Sequence, residues 1–316
     1  MPDLPTQDEV LAYFESLSNW GRWGDDDQLG TMNHITPETR RRAVSLVREG
    51  VTVSCSRTLN NAPGPDVMAQ PVHYMIESGE GYAHDEKAGP PRPYQTSSDF
   101  IGVAFHGHTV THVDSLAHFF FDGKMYNGKP SSLVSTRYGA TWESIEVLQG
   151  GILTRGVLLD IPRLRGVPWF NPGEGILRED IEAAEEAQGV RVEPGDVLLV
   201  RTGQLRRRAE LGPWNIAGEG GTGTHANCLP FYHERSIAML GSDTGNSLVH
   251  PGFDRLGNPV HQVGIVAMGL WILDNADLEA LTEACQERGR WEFMLTINPL
   301  RIEGGTGSPA NPVAVF

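Results

Sequence analysis

From residue 101 onward, short apolar segments alternate with segments of helical period, and this alternation restricts the fold more than any other feature. Six segments have the length and apolar content of strands, at residues 101–105, 156–161, 196–202, 238–241, 263–273 and 293–297. Helices are predicted at residues 178–188 and 277–288, and each precedes a glycine at the position of a C-cap, Gly189 and Gly289. The pattern therefore predicts an α/β protein.

The N-terminal part is predicted to be a helical arm over residues 1–50. Apolar residues recur with helical spacing at residues 8–17, and a second helix is expected at 37–49, with Thr36 as its N-cap. A strand should follow at 51–54. Residues 60–98 are rich in Gly, Pro, Asp and Tyr, which indicates a long surface loop able to cover an active site. We predict one domain over residues 1–316, although the length alone also permits two.

The charge of the chain excludes several classes of partner. A formal net charge of −15, from 25 Lys and Arg against 40 Asp and Glu, argues against nucleic acids and anionic membranes. The longest apolar run, residues 263–273, is about half the length needed to cross a bilayer. The N-terminus has no secretory signal, and three scattered cysteines indicate buried thiols rather than disulfides or a thiolate metal site. We expect a cytoplasmic protein with a small-molecule substrate.

Histidines are concentrated in one short segment, residues 106–118, which holds four of the eleven in the chain. The β-branched residues at positions 109–111 and 113 disfavour a helix there. In an extended chain, residues of the same parity project toward one side of the backbone. Five even-numbered residues would then share a side: His106, His108, His112, Asp114 and His118.

Imidazole nitrogens and a carboxylate that converge on one point are the ligands expected of a catalytic divalent metal such as Zn²⁺ or Mn²⁺. A single histidine is more often a packed core residue. The whole pattern of His-x3-His-x-Asp-x3-His, however, favours a metal site over chance clustering. Its spacing does not distinguish the two metals, and His106 is in phase with His108 as an alternative first ligand.

Together with the segments at residues 19–24, 122–128, 156–160, 195–203, 241–244 and 305–312, this pattern resembles the longer members of the cyclase superfamily, which includes bacterial kynurenine formamidases and isatin hydrolases. The resemblance implies a swivelling β/β/α fold with a mixed sheet and flanking helices, assembled as a homodimer or a tetramer. It also implies that His108, His112 and Asp114 bind the metal and that His118 is the general acid and base.

The resemblance further implies a second ligand pair in the C-terminal half, where the formamidases have a histidine and a glutamate. The matching residues here are His261 and Asp274, with a spacing one residue longer. We therefore expect one tightly held metal, with His261 and Asp274 near it or holding a weaker second ion. The alternative for Asp274 is a turn or helix-cap residue.

The chemistry expected of such a site is hydrolysis of an amide without a covalent intermediate. A divalent metal lowers the pKa of bound water toward about 7, and His118 would take its proton and return it to the leaving nitrogen. Motifs of serine hydrolases, zincins and P-loop proteins do not occur. A lyase or cyclase that removes water and a non-catalytic metal-binding protein are the competing hypotheses.

Aromatic residues suggest a cyclic or aryl amide as the substrate. Phe119 and Phe121 adjoin His118, and Trp20 and Trp23 lie in a loop able to act as a lid, so we expect these four to line the substrate pocket. The negative net charge favours a neutral amide over a multiply charged acid, unless local arginines offset the repulsion.

Overall fold

The structure is a computed structural model that describes residues 4–83 and 94–316 of the chain. Fifteen strands occur in this part: β1 (Thr52–Ser54), β2 (Val72–Glu77), β3 (Ser98–Gly102), β4 (His112–Asp114), β5 (Val134–Ser135), β6 (Gly139–Ala140), β7 (Ile152–Asp160), β8 (Gly175–Ile176), β9 (Val197–Arg201), β10 (Gly223–Thr224), β11 (Met239–Ser242), β12 (Trp271–Asp274), β13 (Glu292–Ile297), β14 (Gly307–Pro309) and β15 (Val313–Val315).

The α-helices of the described residues surround these strands. They are α1 (Gln7–Ser16), α2 (Pro37–Val44), α3 (Glu80–Ala83), α4 (Ile161–Arg165), α5 (Arg178–Gln188), α6 (Gln204–Leu211), α7 (Ile216–Glu219), α8 (Leu229–Glu234), α9 (Pro259–Val263) and α10 (Glu279–Arg288). A π-helical turn, Gly264–Met268, continues directly from α9. Within this part of the chain, no helix has both the length and the apolar character that a membrane span requires.

Nine strands form one mixed sheet in the order β1-β15-β13-β7-β9-β11-β12-β4-β14. The central strands β7, β9, β11 and β12 are parallel, and every residue of β9, β11 and β12 is buried, as expected for a sheet covered on both faces. Antiparallel strands extend both edges. The predicted α/β class, a mixed sheet with flanking helices, is confirmed.

Alternate side chains of the central strands pack into two separate apolar cores. Leu158 and Leu199 belong to one core, whereas Leu159, Leu198 and Val200 belong to the other. Because successive residues of a strand point to opposite faces, both faces of the sheet are apolar, and each face is covered by a layer of helices. The predicted helix at 178–188 has those bounds, and Gly189 ends it in the left-handed conformation with φ 63°.

One predicted strand is wrong in its first half. Residues 263–273 were expected to form a single buried strand, but residues 259–268 are helical and the strand is Trp271–Asp274. All of residues 263–274 are buried, so no periodicity separates a helix from a strand there. Gly269, with φ 64°, ends the helical part. The predicted strand at 101–105 is likewise shifted to Ser98–Gly102, where it forms a hairpin with β2.

The N-terminal arm packs against this helical segment. Val10 of α1 is fully buried, and the side chain of Asn19 donates to the carbonyl of Met268 at 2.8 Å. The predicted helix at 37–49 begins as expected at the Thr36 cap but ends at residue 44. The predicted surface loop contains β2 and the start of β3, and its residues 84–93 lie outside the described residues. The single-domain organisation, homo-oligomeric assembly and cytoplasmic location stay predictions.

Candidate metal centre and active site

Two adjacent strands hold three of the predicted site residues in fixed register. In the antiparallel pairing of β4 with β12, Asp274 is opposite His112, and Ile272 is opposite Asp114. His112 and Asp114 are 1% and 0% exposed, respectively. His112 Nδ1 donates to the carbonyl of Val110 at 2.8 Å, which leaves Nε2 as the nitrogen with a free lone pair. The sheet therefore aims His112 Nε2 and two carboxylates at one volume.

His261 reaches the same volume from α9. Its Nδ1 lies 2.8 Å from Asn258 Oδ1 and 3.3 Å from Ser247 Oγ, and these contacts orient the ring. His261 Nε2 is then 3.4 Å from Asp114 Oδ2 and 3.4 Å from Asp274 Oδ2. Pro259 in the first turn of α9 favours the start of a helix at this point.

Two groups of candidate metal ligands result, and they share Asp114. The first is His106, His112 and Asp114, and the second is Asp114, His261 and Asp274; within each group the ligand atoms lie within 4.8 Å of one another. His106 Nδ1 is 2.9 Å and His112 Nε2 is 3.3 Å from Asp114 Oδ1. The number of bound ions stays a prediction.

The hydrogen bonding of these atoms fits a metal ion. His106 Nδ1, His112 Nε2 and both oxygens of Asp114 are buried, and none makes a hydrogen bond of acceptable geometry within residues 4–83 and 94–316. Buried polar atoms without partners are costly unless something else compensates them. A cation bound between nitrogen lone pairs and carboxylate oxygens would satisfy all four atoms at once.

The electrostatics of the site also favour bound positive charge. Burial by itself lowers the pKa of His112, but Asp114 and Asp274 outweigh it and raise the pKa to about 9. Burial also opposes the proton of His261, and the same two carboxylates again raise its pKa to about 9. Burial would raise the pKa of Asp114, yet the histidines around it, His118 foremost, hold that pKa well below its usual range.

His118, the predicted acid and base, lies beside the ligand groups. Its ring stacks on that of His106, with centroids 3.7 Å apart and planes 5° apart. Its Nε2 is 3.8 Å from Asp114 Oδ1. Burial outweighs the attraction of Asp114 and lowers the pKa of His118 to about 4. The ring of Phe119, one of the predicted pocket residues, contacts both His118 and His261 at centroid distances of 4.9 and 5.0 Å.

His108, which the family resemblance implied as a ligand, belongs to neither ligand group. The regular strand here begins at His112, and Gly107 has φ 144°, so side chains before the strand do not follow its parity. As a result, His106 and not His108 lies against Asp114. His108 instead borders a cavity, where a carbon added to Gly245 would be 3.8 Å from His108 Nδ1 and 3.7 Å from Asp274 Oδ2.

Three other predicted pocket residues have partners away from this cavity. Phe121 stacks on Phe14 at a centroid distance of 3.9 Å. Trp20 donates its indole N–H to the carbonyl of Val266 at 2.7 Å. Trp23 contacts the ring of His34 edge-on at 5.2 Å. Phe121 and Trp20 connect the N-terminal arm to the rest of the chain, whereas the contact of Trp23 lies within the arm. None of these three aromatics lines the cavity, and neither does Phe119.

The cavity beside the ligand groups has a volume of about 640 Å³, which is enough for a small molecule. It is lined near the site by His108, Asn258 and Asn275, and farther out by Trp214 and Phe253. Arg57 also lines it. The sequence analysis missed Arg57 and the two asparagines, because each belongs to a different segment and no local pattern connects them.

The fold and the site together define the class of this protein as an α/β protein whose sheet carries a buried His and Asp cluster able to hold a divalent metal. The family described as "Putative cyclase" matches residues 71–247, which is more than half of the chain. The chain belongs to the cyclase family.

Solved structures support this assignment. A structure described as a novel cyclase is 35% identical, with a TM-score of 0.86, and the match covers 95% of this chain and 100% of the other. Isatin hydrolase A from Labrenzia aggregata is 19% identical (TM-score 0.58; 86% and 94% covered), and a "predicted metal-dependent hydrolase" from Bacillus stearothermophilus is 15% identical (TM-score 0.52; 84% and 98% covered). The last two show likeness of fold. No curated protein sequence matched significantly.

Proposed function

We propose that this cyclase-family protein is a metal-dependent hydrolase of small cyclic or aryl amides. The observation that carries the proposal is the set of buried ligand atoms around Asp114 that have no hydrogen-bond partner among the described residues, beside a cavity of substrate size. Structural neighbours described as isatin hydrolase and as a metal-dependent hydrolase support the same reaction class.

The roles of the ligand residues follow from their positions. His106, His112 and Asp114 would hold the ion, while His261 and Asp274 would provide, with Asp114, the ligands of a second position. When bound, a divalent metal lowers the pKa of bound water toward about 7 and polarises a substrate carbonyl. Nitrogen and oxygen ligands without a thiolate suit both Zn²⁺ and Mn²⁺.

In this proposal His118 is the general acid and base. It stands next to both ligand groups but belongs to neither, so its nitrogen is free to exchange a proton with a reacting molecule. Its stacking on His106 fixes the ring plane. His118 takes a proton from the attacking water and delivers it to the leaving nitrogen of the amide. Phe119 packs edge-on against His118.

The experiment that tests this proposal is a substrate panel with the purified protein loaded with Zn²⁺ or Mn²⁺. Isatin, N-formylkynurenine, formanilide, a lactone and a cyclic imide are compared by product mass. Hydrolysis adds the elements of water to the substrate, with the ring opened or formate released, whereas dehydration removes them. A loss of turnover in His112→Ala but not in the control His73→Ala, whose side chain is exposed, would assign the reaction to this site.

Two outcomes contradict the proposal. Loss of water from a substrate would favour a lyase or cyclase, and binding of metal without turnover of any compound would favour a non-catalytic protein. Metal analysis of the purified chain accompanies both assays, because a wild type that binds no divalent metal would contradict every metal-dependent reaction.

A further inference from the structure

A positively charged side chain, Arg57, lies on the wall of the cavity beside the ligand groups. Its guanidinium is anchored to the segment that leads into β4, since Nη1 donates to the carbonyl of His108 at 2.7 Å. Its backbone N–H donates to Thr111 Oγ1 at 2.9 Å. These two bonds fix Arg57 relative to the site. Its Nε and Nη2 groups make no hydrogen bond within residues 4–83 and 94–316, so they are available to a ligand.

Arg57 has no carboxylate partner among the described residues, in contrast to the buried Arg155 and Arg201. Arg155 is paired with Asp196 at 2.7 Å, and Arg201 is paired with Asp160 at 2.8 Å. Such pairing is what a desolvated guanidinium normally requires, because an unpaired buried charge is costly.

The other charged groups near Arg57 form no ion pair with it among the described residues, although Asp66, Asp243 and Asp277 attract its charge from farther away. Arg208 is bound to Asp66 by a short ion pair, and these two charges cancel. Asp243 accepts the backbone N–H groups of Thr202 and Gly203 at 2.7 and 2.8 Å and makes no ion pair with Arg57.

The pKa of Arg57 reflects this environment. Burial first, and then the nearby charge of Arg208, lower it to about 10, although Asp66, Asp277 and Asp243 act in the opposite direction. At neutral pH the side chain is therefore still a cation.

The rest of the cavity suits the body of a small organic molecule. Apolar side chains of Leu205, Trp214, Leu248 and Phe253 form part of the lining. The opening toward the ligand groups is marked by His108, whose carbonyl holds Arg57. A molecule in this cavity would place its apolar part against these apolar side chains and a polar end near the Arg57 guanidinium.

We propose that Arg57 binds a carboxylate of the substrate, so that the protein acts on small aryl or cyclic amides that carry a carboxylate group. This inference rests on the proposed function for its reaction class. Arginine is suited to the role because its planar N–H groups match the two oxygens of a carboxylate. The net charge of −15 predicts a preference for neutral amides, but Arg57 places a cation on the cavity wall, where a substrate carboxylate could meet it.

A kinetic comparison tests this with two aryl formamides that differ by one carboxylate, N-formylanthranilate and formanilide. We expect the wild type to favour N-formylanthranilate in kcat/KM. In Arg57→Gln, KM for N-formylanthranilate should rise by about 10- to 100-fold, the range for lost hydrogen bonds to a charged group, while formanilide changes less than about threefold. Arg57→Lys should restore part of the difference. Arg206→Gln is the matched control, because it removes the same charge from an exposed pair with Glu210.

A binding measurement separates failure of this inference from failure of the proposed reaction. Anthranilate and its neutral amide, anthranilamide, are titrated calorimetrically into metal-loaded wild type and Arg57→Gln. If neither formamide is hydrolysed but anthranilate binds the wild type at least about tenfold more tightly than it binds Arg57→Gln, the carboxylate site stands and the amide reaction fails. Equal affinity of anthranilate for both proteins, or equal affinity of both ligands for the wild type, would overturn the inference. The melting temperature of each variant checks that it is folded.

Discussion

His106 Nδ1 lies 2.9 Å from Asp114 Oδ1, nearer to this carboxylate than the closest nitrogens of His112, His118 and His261. The histidine expected as the first ligand, His108, has no comparable contact among the described residues. Of these two histidines, His106 is therefore the candidate ligand, and His108 lines the cavity. The consequence is measurable, because the two histidines differ in what their loss should do to metal binding.

We predict that His106→Ala loses bound metal and that His108→Ala retains it. Removal of His106 takes away a nitrogen from the first ligand group, whereas His108 belongs to neither group. Metal content after dialysis is measured by inductively coupled plasma mass spectrometry, and each variant serves as the control for the other. If His108→Ala lost the metal and His106→Ala kept it, the segment before β4 would have to rearrange when the ion binds. His108 would then be the ligand, as the family resemblance implies.

His118→Ala should lower the turnover number by about 10²- to 10⁴-fold while the metal stays bound. The imidazole touches the ligand set at 3.8 Å from Asp114 Oδ1 but is not a member of it. Turnover and metal content are therefore measured on the same preparation. A variant that loses its metal and regains the full rate after reloading would identify His118 as a ligand instead of the proton carrier.

Local patterns in the sequence were sufficient for some of the regular elements. The helix Arg178–Gln188 follows from its periodicity and from Gly189 behind it, and the parity of β4 correctly places His112 and Asp114 on one side. Such features depend on residues close together in the chain. They also determine which layer each strand residue joins, since burial alternates along the strand.

The remainder of the site depends on contacts between distant segments. Gly107 breaks the parity that would have united His106 with His108, and no spacing rule anticipates its backbone angle. Residues 263–268 are buried all round, which removes the period that identifies a helix. Arg57 and Asn258 meet at the cavity from opposite parts of the chain, so an inspection of either segment alone could not relate them.

Gly269→Ala should destabilise the fold by about 2–4 kcal/mol, because it combines an unfavourable backbone angle with a steric clash. Gly269 has φ 64°, and a carbon added there would lie 2.5 Å from Cε2 of Tyr126, a residue with no exposed surface. Gly289→Ala is the control, since Gly289 has φ 59° but nothing within 4 Å of the added carbon. Urea denaturation gives both free energies of unfolding, and equal losses in the two variants would contradict the steric part of the argument.

Glu143 should make the stability of the protein depend on pH. The side chain is fully buried, and its carboxylate oxygens have no hydrogen-bond partner within the described residues. Burial, assisted by the charge of Asp27, raises its pKa from the usual 4.5 to about 9. Between these two values the folded protein keeps a proton that the unfolded chain has released, so the free energy of unfolding must fall as the pH rises.

Glu143→Gln removes this titration while it preserves the size of the side chain, so we expect the variant to lose less stability than the wild type between pH 5 and pH 8. The difference should be on the order of 1–3 kcal/mol, below the full value for such a pKa shift because buried sites relax when they ionise. Urea denaturation at pH 5, 6.5 and 8 measures it, with the exposed Glu15→Gln as the control. Parallel pH profiles for wild type and Glu143→Gln would mean that Glu143 is ionised in the folded protein and that a bound cation or a donor compensates it.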